Sequence, residues 1–82
     1  MFYTYVLHSA SFNKIYIGFS SNVNRRVESH NDLRNTGWTK RYQPWVLVHV
    51  EEFETKREAL LRETQLKTSR GRQFIRDKIK CQ

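Results

Sequence analysis

Phe2-Tyr3-Thr4-Tyr5-Val6-Leu7-His8, followed after a short gap by Ile15-Tyr16-Ile17-Gly18, is the stretch that decides the fold. Both runs are rich in aromatic and β-branched residues, which suit a pleated, half-buried surface, so both read as strands. Ser9 to Lys14 between them contains Ser, Asn and Lys and reads as a hairpin loop. So short a connection makes antiparallel pairing the natural arrangement. Alternation puts Tyr3, Tyr5 and Leu7 on one face and Phe2, Thr4, Val6 and His8 on the other. Tyr16 and Gly18 share a face, opposite Ile15 and Ile17. The hairpin can therefore bring Tyr5 and Tyr16 together. By itself such a pair reads first as packed aromatics with their hydroxyls at the edge of a core.

Working outward, Ser20-Ser21-Asn22 offers capping side chains for a helix over roughly 22–31. Asn31 to Tyr42 is polar, contains Gly37, and reads as a long loop of the kind that is often functional. Pro44 precedes a third strand, Trp45-Val46-Leu47-Val48-His49-Val50, continuing towards Phe53. Thr55 can cap a second helix, with Glu58 completing a capping-box pattern, and that helix is predicted to run to about Ser69. Gly71 is expected to interrupt before a third, basic helix from Gln73 to Lys80. The order β-β-α-β-α-α predicts an α+β fold over residues 1–82, a single small domain with a three-stranded antiparallel sheet flanked by helices.

A chain of 82 residues supports one compact core. Apolar residues are 38% of it, a low share, but the periodic segments argue against disorder. The lone Cys81 cannot form an internal disulfide and reads as a bystander in a reducing compartment. No apolar run approaches the roughly 18 residues of a membrane helix, and the first residues lack the pattern of a signal peptide. The expected setting is the cytoplasm. Fifteen Lys and Arg against eight Asp and Glu give a net charge of +7, which favours a polyanionic partner, nucleic acid first.

Helical periodicity sorts the candidate chemistry. In the first helix Val23 and Val27 define the buried stripe, with His30 near it and Arg26 just beside it. Arg26 and His30 are an i, i+4 pair on one face. In the second helix Ala59, Leu60 and Leu66 form the apolar stripe, and Glu63 lies at its centre. A carboxylate there is costly unless paired or bound to a cation, and Arg26 is one conceivable partner. Glu58 and Arg62 fall off the stripe and read as solvated. A carboxylate, an arginine, a histidine and two tyrosines, all facing inward in a basic domain, suit phosphodiester hydrolysis. One carboxylate can hold Mg²⁺ or Mn²⁺ when water and substrate phosphate complete the shell. Arg26 can clamp a phosphate through its planar fork. Nothing supports a zinc site, a glycine-rich phosphate loop or a serine nucleophile elbow.

These residues resemble the GIY-YIG nuclease superfamily, particularly its small stand-alone bacterial members, and are similar to the N-terminal nuclease domain of the DNA-repair excinuclease. The first signature is Tyr3-Thr4-Tyr5 and the second Tyr16-Ile17-Gly18, with ten residues between them. Asn22 to Asn31 matches the helix carrying an arginine four residues before a histidine. Thr36-Gly37-Trp38-Thr39-Lys40 and Trp45-Val46-Leu47-Val48 resemble the loop and strand that follow. Glu58 to Lys67 looks like the helix with the metal-binding glutamate. The resemblance implies that Tyr16 is the general base or proton relay and that Tyr5 orients the water or phosphate. It implies that Arg26 stabilises the transition state, that His30 hydrogen-bonds a tyrosine or the phosphate, and that Glu63 is the sole protein ligand of Mg²⁺ or Mn²⁺. Phe19 stands where the excinuclease domain has a lysine, which removes one cation near Tyr16 and implies weak activity or dependence on a partner.

The basic C-terminal segment, with Lys67, Arg70, Arg72, Arg76, Lys78 and Lys80, is expected to track phosphates, and Trp38 to stack on an unpaired base or pack on the sheet. The leading expectation is a metal-dependent endonuclease acting on DNA, with a protein partner as one source of specificity. The alternative is a non-catalytic nucleic-acid-binding module retaining the fold, as part of a DNA repair complex. Substrate structure, pathway and oligomeric state are not readable from the sequence.

Overall fold

A computed structural model describes residues 1–34 and 37–80. Thr36, in the expected loop, and Cys81 lie outside the described residues. Strand β1 (Phe2–Ser9) and strand β2 (Lys14–Ser20) form the expected hairpin. Asn13 turns the chain with a φ of 51°, a left-handed conformation that asparagine tolerates better than most residues. Helix α1 (Val23–Asn31) follows, then a short 3-10 helix (Trp38–Tyr42), strand β3 (Val46–Phe53), helix α2 (Lys56–Leu66) and helix α3 (Ser69–Lys80). The sheet order is β2-β1-β3, antiparallel throughout, so β1 is central and both β2 and β3 present free edges.

Strand alternation divides the molecule into two cores. On one face Tyr5, Leu7 and Trp45 pack with Tyr16, Val23, Val27 and Tyr42, covered by α1 and the 3-10 helix. On the other, Val6, Ile15 and Ile17 pack against Leu66 of α2 and Ile75 of α3. Fully burying one such aliphatic side chain contributes roughly 1.5–3 kcal/mol, so the second core holds both C-terminal helices to the sheet. A bulge where β1 shifts register between Val6 and Leu7 leaves Val48 as the extra residue of β3, packed into this second core.

The caps follow sequence chemistry. The Asn22 side chain accepts from Arg25 N, and Thr55 Oγ1 accepts from Glu58 N while donating to the Glu58 carboxylate. Three expectations need correction. Trp38–Tyr42 is helical rather than open loop, because Trp38 packs on both Tyr42 and Trp45 and the Trp45 indole N–H donates to Thr39 O at 2.7 Å. Gly71 does not interrupt a helix but lies inside the first turn of α3. A Cβ there would sit 2.3 Å from Gln65 O and 2.4 Å from Leu66 Cα, so glycine is what lets α3 start against the end of α2. Arg62 is half-buried and pairs with Glu51 at 3.0 Å instead of facing open solvent. Burial opposes the Glu51 charge, but hydrogen bonds from His49 and Arg62 outweigh it and hold the carboxyl below its usual range. His49 also accepts from Lys78 Nζ at 2.7 Å, tying β3 to α3. Among the described residues no helix is long and apolar enough to cross a membrane.

Candidate active site

Tyr5 is the fixed centre of the first core, with no exposed surface, and its cross-strand partner is Gly18. That pairing explains the glycine. A Cβ on Gly18 would lie 2.9 Å from the Tyr5 hydroxyl and 3.1 Å from the Tyr16 ring, so any side chain would push both tyrosines. The two rings lie 6.3 Å apart, and His30 from α1 packs against Tyr16 at 4.5 Å. Helix α1 supplies Arg26 one turn before His30. Tyr16, Arg26, Ser29, His30, Trp38 and Thr39 line a pocket of about 280 Å³. Strand alternation and helical periodicity thus converge: four of the five expected residues meet on one side of the sheet.

Hydrogen-bond chemistry orders them. The Tyr5 hydroxyl is 3.2 Å from His30 Nε2, and His30 Nδ1 is 3.2 Å from Thr39 Oγ1. Burial raises the Tyr5 pKa, and the Arg26 guanidinium opposes that rise without cancelling it, so Tyr5 stays protonated. Contact with the Tyr5 hydroxyl raises the Arg26 pKa further, and Arg26 also acts on Tyr16. A guanidinium has donors only, so Arg26 can act on Tyr5 Oη only as a donor, which leaves the Tyr5 proton free to go to His30 Nε2. Burial, then the Arg26 charge, lowers the His30 pKa and keeps the ring neutral. With Tyr5 donating to Nε2, the ring proton sits on Nδ1 and faces Thr39 Oγ1 as its acceptor. The buried chain runs Tyr5, His30, Thr39; Arg26, expected to face inward, is exposed and acts on the Tyr5 end of that chain from outside. Thr39, only 6% exposed, carried no functional reading in the sequence. Its only signal was its place in the loop after the histidine helix.

Glu63 sits in α2, on the opposite side of the sheet. Its side chain is 18% exposed and its ion-pair partner is Lys67, one turn on, at 3.4 Å. The conceivable pairing with Arg26 does not form. Glu63 nonetheless lies close enough for its charge to raise the Tyr5 pKa. Among the described residues no group of three or more His, Cys, Asp or Glu could hold a metal ion together. A half-buried carboxylate with one long contact to an ammonium fits a hard divalent cation that keeps most of its shell as water and phosphate oxygen, and fits no softer metal.

The expected nucleic-acid residues separate. Lys67, Arg72 and Arg76 line a cleft with Tyr16 and Trp38 along β2. Arg70 lies elsewhere, in a groove with Arg62, Gln65 and Phe74. Trp38 both packs and remains 48% exposed. Phe19 carries Lys56 Nζ over its ring at 5.7 Å.

The family model for the GIY-YIG catalytic domain matches residues 1–76. The chain belongs to the GIY-YIG family. Its architecture is that of this family's nuclease fold. Small bacterial relatives agree: a UPF0213 protein of Staphylococcus haemolyticus is 35% identical over 90% of this chain and 89% of its own. One from Staphylococcus aureus is 45% identical over 71% of each chain. The solution NMR structure of the UPF0213 protein BH0048 from Bacillus halodurans superimposes with a TM-score of 0.55, at 26% identity, over 94% of this chain and 84% of that one. GIY-YIG membership makes nucleic acid the expected substrate class and a divalent metal the general cofactor class.

Proposed function

We propose that this chain is a divalent-metal-dependent endonuclease that hydrolyses phosphodiester bonds, DNA first. The observation that carries the reading is the pocket where Tyr16, Arg26 and His30 converge over a buried Tyr5. Tyr16 is the half-exposed tyrosine and Tyr5 the sealed one, which divides their roles. Tyr16 takes the proton of the attacking water and passes its own hydroxyl proton on to solvent, as the water oxygen bonds to phosphorus and the bond to the leaving oxygen breaks. Tyr5, held by His30, which Thr39 holds in turn, gives Arg26 a fixed neighbour at the edge of the pocket. Arg26 donates to the phosphate oxygens as negative charge grows on them. Glu63 would hold Mg²⁺ or Mn²⁺, which supplies charge stabilisation at the phosphate and leaving oxygen.

The test is cleavage of supercoiled plasmid with Mg²⁺ or Mn²⁺, with chelator, and with the variants Tyr16→Phe and Glu63→Gln. Chelation should abolish cutting, and each variant should lose roughly a hundredfold or more. Equal cutting by wild type and Glu63→Gln would remove Glu63 from the metal role. Salt-dependent DNA binding without cleavage of any duplex, branched or single-stranded substrate would establish the binding-module reading instead.

A further inference from the structure

The free edge of β2 forms the floor of a second cavity, about 390 Å³, that opens beside the pocket described above. Tyr16 and Trp38 line both cavities, so the two are continuous at those side chains. Among the described residues, four of the cleft's eight lining residues are cations, Lys14, Lys67, Arg72 and Arg76, and none is acidic. They come from the hairpin, the end of α2 and α3, so only tertiary packing assembles them.

Their side chains are not equivalent. Arg76 donates from both terminal nitrogens to Asn13, at 2.9 and 3.3 Å, and braces the hairpin turn against α3. Arg72 is anchored through Nε to Lys67 O at 3.1 Å, and its two terminal nitrogens have no hydrogen-bond partner among the described residues. That leaves a planar fork held at its base and open at its tip, the geometry that suits a phosphate. Lys14 Nζ lies 5.6 Å from the Tyr42 ring, which steadies the ammonium at the other side of the cleft. Lys67 contacts Glu63, so the carboxylate proposed for the metal and the cleft share a residue.

We propose that this cleft holds the phosphodiester strand adjacent to the scissile bond, with Lys14 and Arg72 each contacting a backbone phosphate and the exposed side of Trp38 receiving a base. The proposal rests on the nuclease reading for what happens at Tyr16, but binding in the cleft stands apart from it. The shared chemistry is a sugar–phosphate backbone, so DNA and RNA are both candidates. Arg70 is excluded from the track. Equal changes in charge therefore have unequal effects: neutralising Lys14 and Arg72 weakens binding, whereas neutralising Arg57 and Arg70, exposed cations outside the cleft, does not.

Binding is measured by fluorescence anisotropy in EDTA, with a labelled hairpin carrying a single-stranded tail, in DNA and RNA versions, across a salt series. The variants are Lys14→Gln/Arg72→Gln, Arg57→Gln/Arg70→Gln and Trp38→Ala, each checked for an unchanged circular dichroism spectrum. The cleft double variant should bind on the order of 10- to 100-fold more weakly near 0.1 M salt, with the slope of log K against log salt reduced by roughly 1.4–2. The control double variant should stay within about threefold of wild type, since neither cation lines the cleft and exposed charge without a direct phosphate contact contributes little. Trp38→Ala should weaken binding with the salt slope unchanged, because stacking releases no counterions. Comparable losses in the two double variants, or none in either, would overturn the cleft. Better retention of the DNA or the RNA probe identifies the strand. A protein that cuts plasmid but fails the comparison keeps the nuclease reading and loses the cleft, and one that passes without cutting does the reverse.

Discussion

Replacing Thr39 by valine tests the buried chain at its least expected link. Valine preserves the shape and removes only Oγ1, which lies 3.2 Å from His30 Nδ1. Both residues are 6% exposed, so water cannot easily replace the lost acceptor. A buried polar group left without its partner costs about 1–3 kcal/mol. For a domain of this size each kcal/mol shifts the melting temperature by about 4–8 °C, so a fall of roughly 4–24 °C is expected. The catalytic loss should be separable from that. With Nδ1 unanchored, the ring is free to rotate or change tautomer, and the Tyr5 hydroxyl at 3.2 Å from Nε2 loses its fixed acceptor. Misplacement of a catalytic contact by about 1 Å can cost on the order of 100-fold, so well below the melting point cleavage should drop by about 10- to 100-fold. Thr39→Ser retains the hydroxyl and should recover most of the rate even if packing suffers. The assays are thermal melts by circular dichroism, plasmid cleavage under single turnover, and ¹⁵N NMR of the His30 ring to read its tautomer. If Thr39→Val melts within about 1–2 °C of wild type and keeps the Nδ1–H tautomer, Thr39 does not hold the histidine.

Gly71→Ala should destabilise the fold by about 1–3 kcal/mol or more, because its Cβ would meet backbone atoms of α2 rather than a mobile side chain. Chemical denaturation reads this directly, and a neutral result would mean that α3 can shift away from α2 at no cost. Acid should weaken the fold through His30. Its pKa is lowered on folding, so the unfolded chain takes up the proton first, and stability falls as pH drops from about 6.5 towards the folded-state value, then levels off. Glu51, below its usual range, and Asp32, held at about 2 by hydrogen bonds from Arg34, titrate below that window. Melting temperatures from pH 7.5 to 5.0 should therefore decline less in His30→Asn than in wild type. Parallel declines would assign the acid sensitivity to another group.

Sequence periodicity reached far into this protein because its elements are short and strongly patterned. Alternation in β1 and β2 separated the tyrosine face from the Val6, Ile15 and Ile17 face, and the structure keeps that division. The spacing of Val23, Val27 and His30 placed the histidine inward, where it is buried. Family membership and the order of elements follow from the same signals. What stayed hidden depends on contacts between residues distant in the chain. Gly71 resembles a helix breaker until the end of α2 is seen against it. Arg62 looks solvated on a helical wheel because the wheel carries no information about Glu51, which is 11 residues earlier and on another element. Thr39 becomes a hydrogen-bond acceptor only when Trp45 pins the 3-10 helix above His30. The sequence by itself determined which face each side chain takes, since that is a local property of backbone geometry. Tertiary structure alone decided which faces meet, and so separated Arg72, whose fork opens into the cleft beside Tyr16, from Arg70, two residues earlier and turned away from it.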